Sequence, residues 1–264
     1  MNQDGYTCIE IERRGRVLMI KLNRPEQLNA INGALHTELS RVFIEANSDS
    51  RSDVVVLTGN GVAFCAGGDI DWMQESVDQL DKFEQVATEA KAIMFSQLDL
   101  AKPLVCRLNG HATGLGATLA LCCDIVVAHP GVKIGDPHVK VGLVAGDGGA
   151  LLWPLLMGHV KAKRYLLTGD MLTATEAERL GLVSDLVAEA DLDTAAYGIA
   201  ERIAAGATKA IRWTKVTANL PLKALIHSHF DAGVAYEAMS NASSDHREAV
   251  AAFREKRRAV FTGG

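Results

Sequence analysis

Apolar positions in the first half of the chain follow two periods in alternation. Residues 7–13 alternate polar and apolar up to Gly15, and Val17 to Leu22 follow, which predicts a β-hairpin. Ile31, Leu35, Leu39, Val42 and Phe43 then fall at helical spacing and predict an amphipathic helix. Val54 to Leu57 is a short apolar run ending at Gly59 and reads as a buried strand. Val77, Leu80, Phe83, Val86, Ala90, Ile93, Met94 and Leu98 predict one long helical stretch. Leu104 to Leu108, entered at Pro103, is the next strand; Leu115 to Cys123 reads as a buried helix and Ile125 to Ala128 as a further strand.

The second half repeats the alternation before it changes character. Thr173-Ala174-Thr175-Glu176 has the spacing of a capping box and predicts the start of a short helix. Val183 to Val187 reads as a strand. From about Asp191 the glycines thin out and helical periodicity takes over. The pattern predicts an α/β core over residues 1–190, with mostly parallel strands, and a helical C-terminal region over residues 191–264. A length of 264 residues and a hydrophobic fraction of 48% suffice for a sizeable core.

Charge and cysteine content narrow the partners. The formal net charge is -5 and the pI about 5.9, which speaks against nucleic acid or an anionic membrane as partner. Arg24, Lys256, Arg257 and Arg258 form either a local basic patch or a set of solvated surface charges. Cys8, Cys65, Cys106, Cys122 and Cys123 show no paired framework and no Cys-x-x-Cys spacing, as expected of reduced thiols. Met1 to Tyr6 lacks the basic and apolar segments of a secretory signal, and no apolar run approaches the roughly 18 residues of a membrane span. A cytoplasmic protein is expected.

The chemistry concentrates in two glycine-bearing loops. The first is Ala63-Phe64-Cys65-Ala66-Gly67-Gly68-Asp69-Ile70, and the second is Gly110-His111-Ala112-Thr113-Gly114-Leu115-Gly116. Each follows a predicted strand and precedes a predicted helix, where backbone N–H groups have no intrahelical acceptor. One N–H from each loop, converging on a single carbonyl oxygen, would make an oxyanion hole. Other glycine-loop chemistries fail: there is no Gly-x-Gly-x-x-Gly opening a helix and no Gly-x-x-x-x-Gly-Lys-Ser/Thr. His111, His129, His159, His227 and His229 lack metal-binding spacing, and no Gly-x-Ser-x-Gly elbow is present; no metal is expected.

These loops are part of a wider match. Leu22-Asn23-Arg24-Pro25-Glu26-Gln27-Leu28-Asn29-Ala30-Ile31-Asn32 precedes them. Thr168-Gly169-Asp170, Ala177-Glu178-Arg179-Leu180-Gly181-Leu182-Val183 and Phe253-Arg254-Glu255-Lys256-Arg257 follow. In this order the motifs resemble the enoyl-CoA hydratase/isomerase (crotonase) superfamily from end to end. The resemblance implies a spiral of ββα units with a helical C-terminal region that completes a homotrimer, often a dimer of trimers. It implies an acyl-CoA or enoyl-CoA substrate, with no cofactor beyond the coenzyme A that the substrate carries. By the same resemblance the hole donors are the N–H groups of Gly68 and Leu115. Glu26, Gln27 and Leu28, then Ala66, Asp69, Ile70 and Asp71, are implied to wrap the CoA.

The chain also departs from that family. The two glutamates of family hydratases match Thr118 and His138 here, and a threonine is no general base near neutral pH. His138 has the reference pKa of a working acid or base, about 6.5, or else is a structural histidine. Asp136 is adjacent and, at strand spacing, would face away from His138. Asp147 lies in the loop where family isomerases and dehalogenases place a carboxylate, or else it caps the apolar helix that follows. The expectation is an acyl-CoA enzyme that stabilises a thioester enolate, with His138 and Asp147 as candidate proton carriers. The alternatives are a catalytically weak acyl-CoA-binding protein and a subunit of a hetero-complex.

Overall fold

The computed structural model describes residues 1–79 and 83–264. Strands β1 (Ile9–Arg14) and β2 (Val17–Leu22) form the predicted hairpin. Strands β3 (Val54–Gly59), β4 (Leu104–Leu108), β6 (Ile125–Ala128) and β9 (Asp185–Leu186) then add in parallel. The sheet order is β1-β2-β3-β4-β6-β9. A second sheet joins β5 (Ala112–Thr113), β7 (Lys133–Gly135) and β8 (Met171–Thr173) in the order β5-β7-β8. The chain therefore leaves the large sheet after β4 and after β6, contributes to the small sheet and returns, winding one turn at a time.

Both faces of the large sheet are covered, which is why its strands read as continuous apolar runs. Leu18, Ile20, Leu22, Val55, Leu57, Leu104, Cys106 and Leu108 face the main core. That core also takes in Leu35, Leu39, Val42 and Phe43 of α1 (Gly33–Ser48) and Ile93, Met94 and Leu98 of α3 (Phe83–Asp99). The alternate residues Val17, Met19, Val54, Val56, Val105 and Val127 point the other way, onto Leu192, Ala196 and Ala200 of α8 (Leu192–Ala204). Each fully buried Leu or Val contributes about 1.5–3 kcal/mol relative to exposure.

Three predicted elements differ in extent. The first helix begins after Asn32, whose side chain accepts from Leu35 N at 2.9 Å. Ile31 stays outside it and is held extended against the first glycine loop, donating to Gly67 O at 2.7 Å and accepting from Asp69 N at 2.9 Å. The predicted long helical stretch is two helices, α2 (Ile70–Asp78), which ends at Gln79, and α3; Leu80 lies outside the described residues. The strand expected over 183–187 is paired only at Asp185–Leu186. The capping box forms as predicted: Thr173 and Glu176 satisfy each other's backbone N–H at the start of α7 (Ala174–Arg179).

The remaining helices frame the site. They are α4 (Leu115–Leu121), α5 (Gly149–Met157), α6 (His159–Thr168), α9 (Thr208–Asn241) and α10 (Ser244–Arg254). No helix is long and apolar enough to cross a membrane among the described residues.

Candidate active site

The two glycine loops meet edge to edge. Cys65 bridges to Ala112: Cys65 N donates to His111 O at 3.0 Å and Thr113 N to Cys65 O at 3.0 Å. This pairing brings Gly68, at the end of the first loop, and Leu115, the first residue of α4, to the wall of one cavity of about 90 Å³. Among the hydrogen bonds of the described residues, none is donated by Gly68 N or Leu115 N. Gly114, just before Leu115, has φ 53° and ψ -127°, a conformation open in practice only to glycine, and it aims the start of α4 at the cavity.

His138 sits on the same wall, in a 3-10 turn (His138–Val141) that follows Pro137. That turn overrides strand spacing and folds the imidazole back, so that Nδ1 lies 2.5 Å from Asp136 Oδ1. Asp136 thus faces His138, contrary to the expectation for an extended segment. On its other edge, His138 Nε2 lies 3.6 Å from Asp147 Oδ2. Asp147 lies one residue before the N-cap position of α5, which Gly148 holds. Its Oδ1 accepts from Gly149 N at 3.3 Å, at the start of α5, and from the Thr118 hydroxyl at 3.5 Å, while Oδ2 is turned toward His138.

A third carboxylate completes the cluster. Glu237 of α9 lines the cavity because α9 approaches the 142–149 loop at a glycine: a Cβ on Gly146 would lie 2.3 Å from Gly233 O and 2.7 Å from Glu237 Cβ. His246 of α10 lines the same cavity, fully buried, with Nδ1 2.6 Å from Val141 O. Asp136 Oδ2, Asp147 Oδ2 and His246 Nε2 are buried with no hydrogen-bond partner. Groups of that kind pair with a ligand, an ion or water in working sites.

The electrostatics differ from group to group. Burial opposes a charge on His138, but Asp136 and Asp147, with Glu237 behind them, outweigh it and hold the imidazolium well above its usual range. Burial lifts Asp147 above the ordinary carboxylate range, against the pull of His138. Burial, then the charge of Asp147, pushes Glu237 up to about 8. Burial holds His246 below the usual imidazole range. Glu237 therefore holds its proton near neutral pH, while the surroundings favour the charged form of His138 and raise the basicity of Asp147. Asp136, His138 and Asp147 bring ligating atoms within 4.8 Å of one another, close enough to meet a cation. Nδ1 is already bound to Asp136, and on the other side His138 Nε2 faces Asp147 Oδ2 across an ion-pair distance.

An open cleft of about 510 Å³ adjoins the cavity, and Gly68, Met73 and His138 line both. Of the residues expected to wrap CoA, Gln27, Ala66, Gly68, Asp69, Ile70 and Asp71 line this cleft. Leu28 is exposed beside Gln27, and Leu115 lines the inner cavity. Glu26 lies in the 3-10 turn Pro25–Gln27. Two candidate cations of the basic patch are already paired: Arg24 with Asp69 at the cleft, at 3.0 Å, and Arg257 with Glu248 and Glu255. Cys65 is no nucleophile, since burial pushes its thiol up to about 12. Sequence reasoning missed Glu237, His246 and His36 in the cavity wall. The apolar repeat of the tail hides the first two, and His36 occupies an ordinary core position of α1.

Comparison with known proteins follows the same lines. A sequence model described as Enoyl-CoA hydratase/isomerase matches residues 12–264. A crotonyl-CoA hydratase of Syntrophomonas wolfei is 32% identical over 97% of this chain and 98% of its own. The crystal structure of an enoyl-CoA hydratase/isomerase from Mycobacterium paratuberculosis superposes with a TM-score of 0.91 and 34% identity, covering 94% of this chain and 99% of that one. A β-diketone hydrolase from Anabaena, solved with (S)-3-oxocyclohexyl acetic acid bound, superposes at 0.85 with 28% identity over 91% of this chain and 96% of its own. With a match that spans nearly its whole length and a fold shared at that level, the chain belongs to the enoyl-CoA hydratase/isomerase family of the crotonase superfamily.

Proposed function

We propose that this protein is an acid–base catalyst acting on the enolate of an acyl-CoA thioester, with hydration of a short enoyl-CoA as its overall reaction. The thioester oxygen accepts from Gly68 N–H and Leu115 N–H, which hold the charge that develops there; one such donor is worth about 10²–10³ in kcat. Asp147, with its raised basicity, takes a proton from water, and the water oxygen adds to the β-carbon. The charged His138 delivers a proton to the α-carbon, and Asp136 fixes its ring. A buried imidazolium and a buried carboxylate of raised basicity thus take the place of the two missing glutamates. The observation that carries this reading is His138, held between two buried carboxylates on the wall that also bears both unpaired N–H groups.

The test is crotonyl-CoA in deuterated buffer, followed by mass spectrometry. Gain of one water with deuterium at the α-carbon supports hydration. Deuterium uptake without water assigns isomerisation to the same groups. Full turnover in both His138→Ala and Asp147→Asn overturns the proton-carrier assignment.

A second reading rests on the outer cleft, where Asp71 stands beside an Asp69 paired with Arg24 and no lysine or arginine lines the wall among the described residues. Such a wall suits a substrate without phosphates. The β-diketone hydrolase neighbour supports cleavage of a diketone by the same groups. Water activated at Asp147 bonds to one carbonyl carbon, the adjacent C–C bond breaks with its electron pair passing to an enolate, and His138 protonates that carbon. Ring opening of cyclohexane-1,3-dione, without action on crotonyl-CoA, would favour this reading.

The apolar groove of about 560 Å³ between the 139–145 segment, α5, α6 and α9 supports self-association into the trimer that the family resemblance implies. Leu167 of α6 lines the groove and is 73% exposed, and Val160 on the same helix is 83% exposed. All five cysteines are free, which supports a reducing compartment such as the cytoplasm.

A further inference from the structure

The cavity has a second histidine–carboxylate pair, on the wall formed by α1 and α3. His36 is 2% exposed, yet it lines the cavity. Its Nδ1 lies 2.7 Å from Glu89 Oε2, and its ring sits 5.1 Å from that of Trp72, at a tilt of 43°. Glu89 is itself held: its Oε1 accepts from the Thr37 hydroxyl at 2.8 Å and from Gln85 Nε2 at 3.0 Å. Hydrogen bonds from His36, Gln85 and Thr37 offset burial and keep the carboxylate below its ordinary range. A fixed carboxylate that takes Nδ1–H leaves Nε2 as the one ring nitrogen able to address a ligand. A plain alkyl chain has no use for such a group; Ile31, Met73, Val86, Ala87, Ala90 and Leu143 already supply the apolar lining.

We infer that His36, oriented by Glu89, is a specificity residue that binds a hydroxyl group on the acyl chain of the substrate. The choice of a hydroxyl follows from the ring. A neutral imidazole bonded through Nδ1–H accepts at Nε2, and a charged one donates there; a hydroxyl, being both donor and acceptor, pairs with either form, whereas a carbonyl pairs only with the second. The cavity is small and also holds Gly68 and Leu115, so a hydroxyl at the end of a short acyl group seated on those two N–H groups reaches His36. The inference rests on the acyl-CoA reading above and adds the substrate class to it.

The experiment is isothermal titration of the intact protein with two saturated thioesters, butyryl-CoA and 4-hydroxybutyryl-CoA, which differ by one oxygen. The wild type is expected to bind the hydroxylated ester about tenfold more tightly, the factor that one buried hydrogen bond supplies. His36→Asn keeps a group beside Glu89 but removes Nε2, and should bring the ratio to near one. Glu89→Gln should give an intermediate ratio, and it carries the test if the His36 variant does not fold. Equal binding of the two esters by the wild type overturns the inference and leaves the acyl-CoA reading intact. A preference unchanged in both variants also overturns it. Failure of the wild type to bind either ester sinks the acyl-CoA reading and this inference with it.

Discussion

At residue scale, the proposed mechanism assigns different tasks to the buried titratable groups of the cavity. His138→Ala and Asp147→Asn should each lower kcat by about 10²–10⁴, the usual contribution of a positioned acid or base, while thioester binding stays within a few-fold. Stopped turnover with retained titration heats would check this. Glu237 gives a separate signature in stability. Its folded pKa of about 8 lies above the ordinary 4.5 of the unfolded chain. Between those values the native state holds a proton that the unfolded state has released, so stability falls as pH rises through that window and levels off above it. Glu237→Gln removes the group, and its melting temperature should exceed that of the wild type increasingly from pH 5 to 8. Parallel melting curves for the two proteins across that range would contradict the assignment.

At element scale, Gly114 between β5 and α4 sets the position of Leu115, whose N–H is one donor of the proposed hole. A Cβ on Gly114 would lie 3.3 Å from His138 Cε1, and the backbone there is left-handed. Gly114→Ala should therefore cost about 1–3 kcal/mol of stability and lower kcat by about 10²-fold through displacement of Leu115 N–H; thermal melts beside kinetics would separate the two effects. Most elements were legible because their apolar residues repeat at one period and both sheet faces are buried, as in β2 to β4. The two loops were legible because glycine at a strand–helix junction has few other uses. The break between α2 and α3 was not, since the apolar spacing runs on across it. The orientation of Asp136 is not legible, because strand spacing applies only to an extended segment and the chain turns at Pro137. Glu237 was hidden because its role depends on Gly146, some ninety residues earlier, letting α9 come close.

At the scale of the whole molecule, the inner cavity is closed by segments from across the chain: Gly68 and Leu115 from the α/β core, Glu237 and His246 from the helical region. Packing of α9 and α10 is therefore a condition for the proposed chemistry. The exposed apolar face of α6 should be covered by a second copy, so Val160→Glu with Leu167→Asp should shift the protein to monomer in light scattering coupled to gel filtration. A wild type that is already monomeric would refute this. The contact between Thr118 and Asp147 carries an evolutionary consequence. A glutamate at position 118, as in family hydratases, would set a second carboxylate against Asp147 inside the protein, where neither could ionise cheaply. Thr118→Glu alone should lower the melting temperature by about 5 °C or more, and Asp147→Asn added to it should restore most of that loss. The path between the two catalytic designs thus has a valley in the middle. A lineage crosses it by giving up its old base before gaining the new one, so the order of mutations is constrained even though the fold never changes.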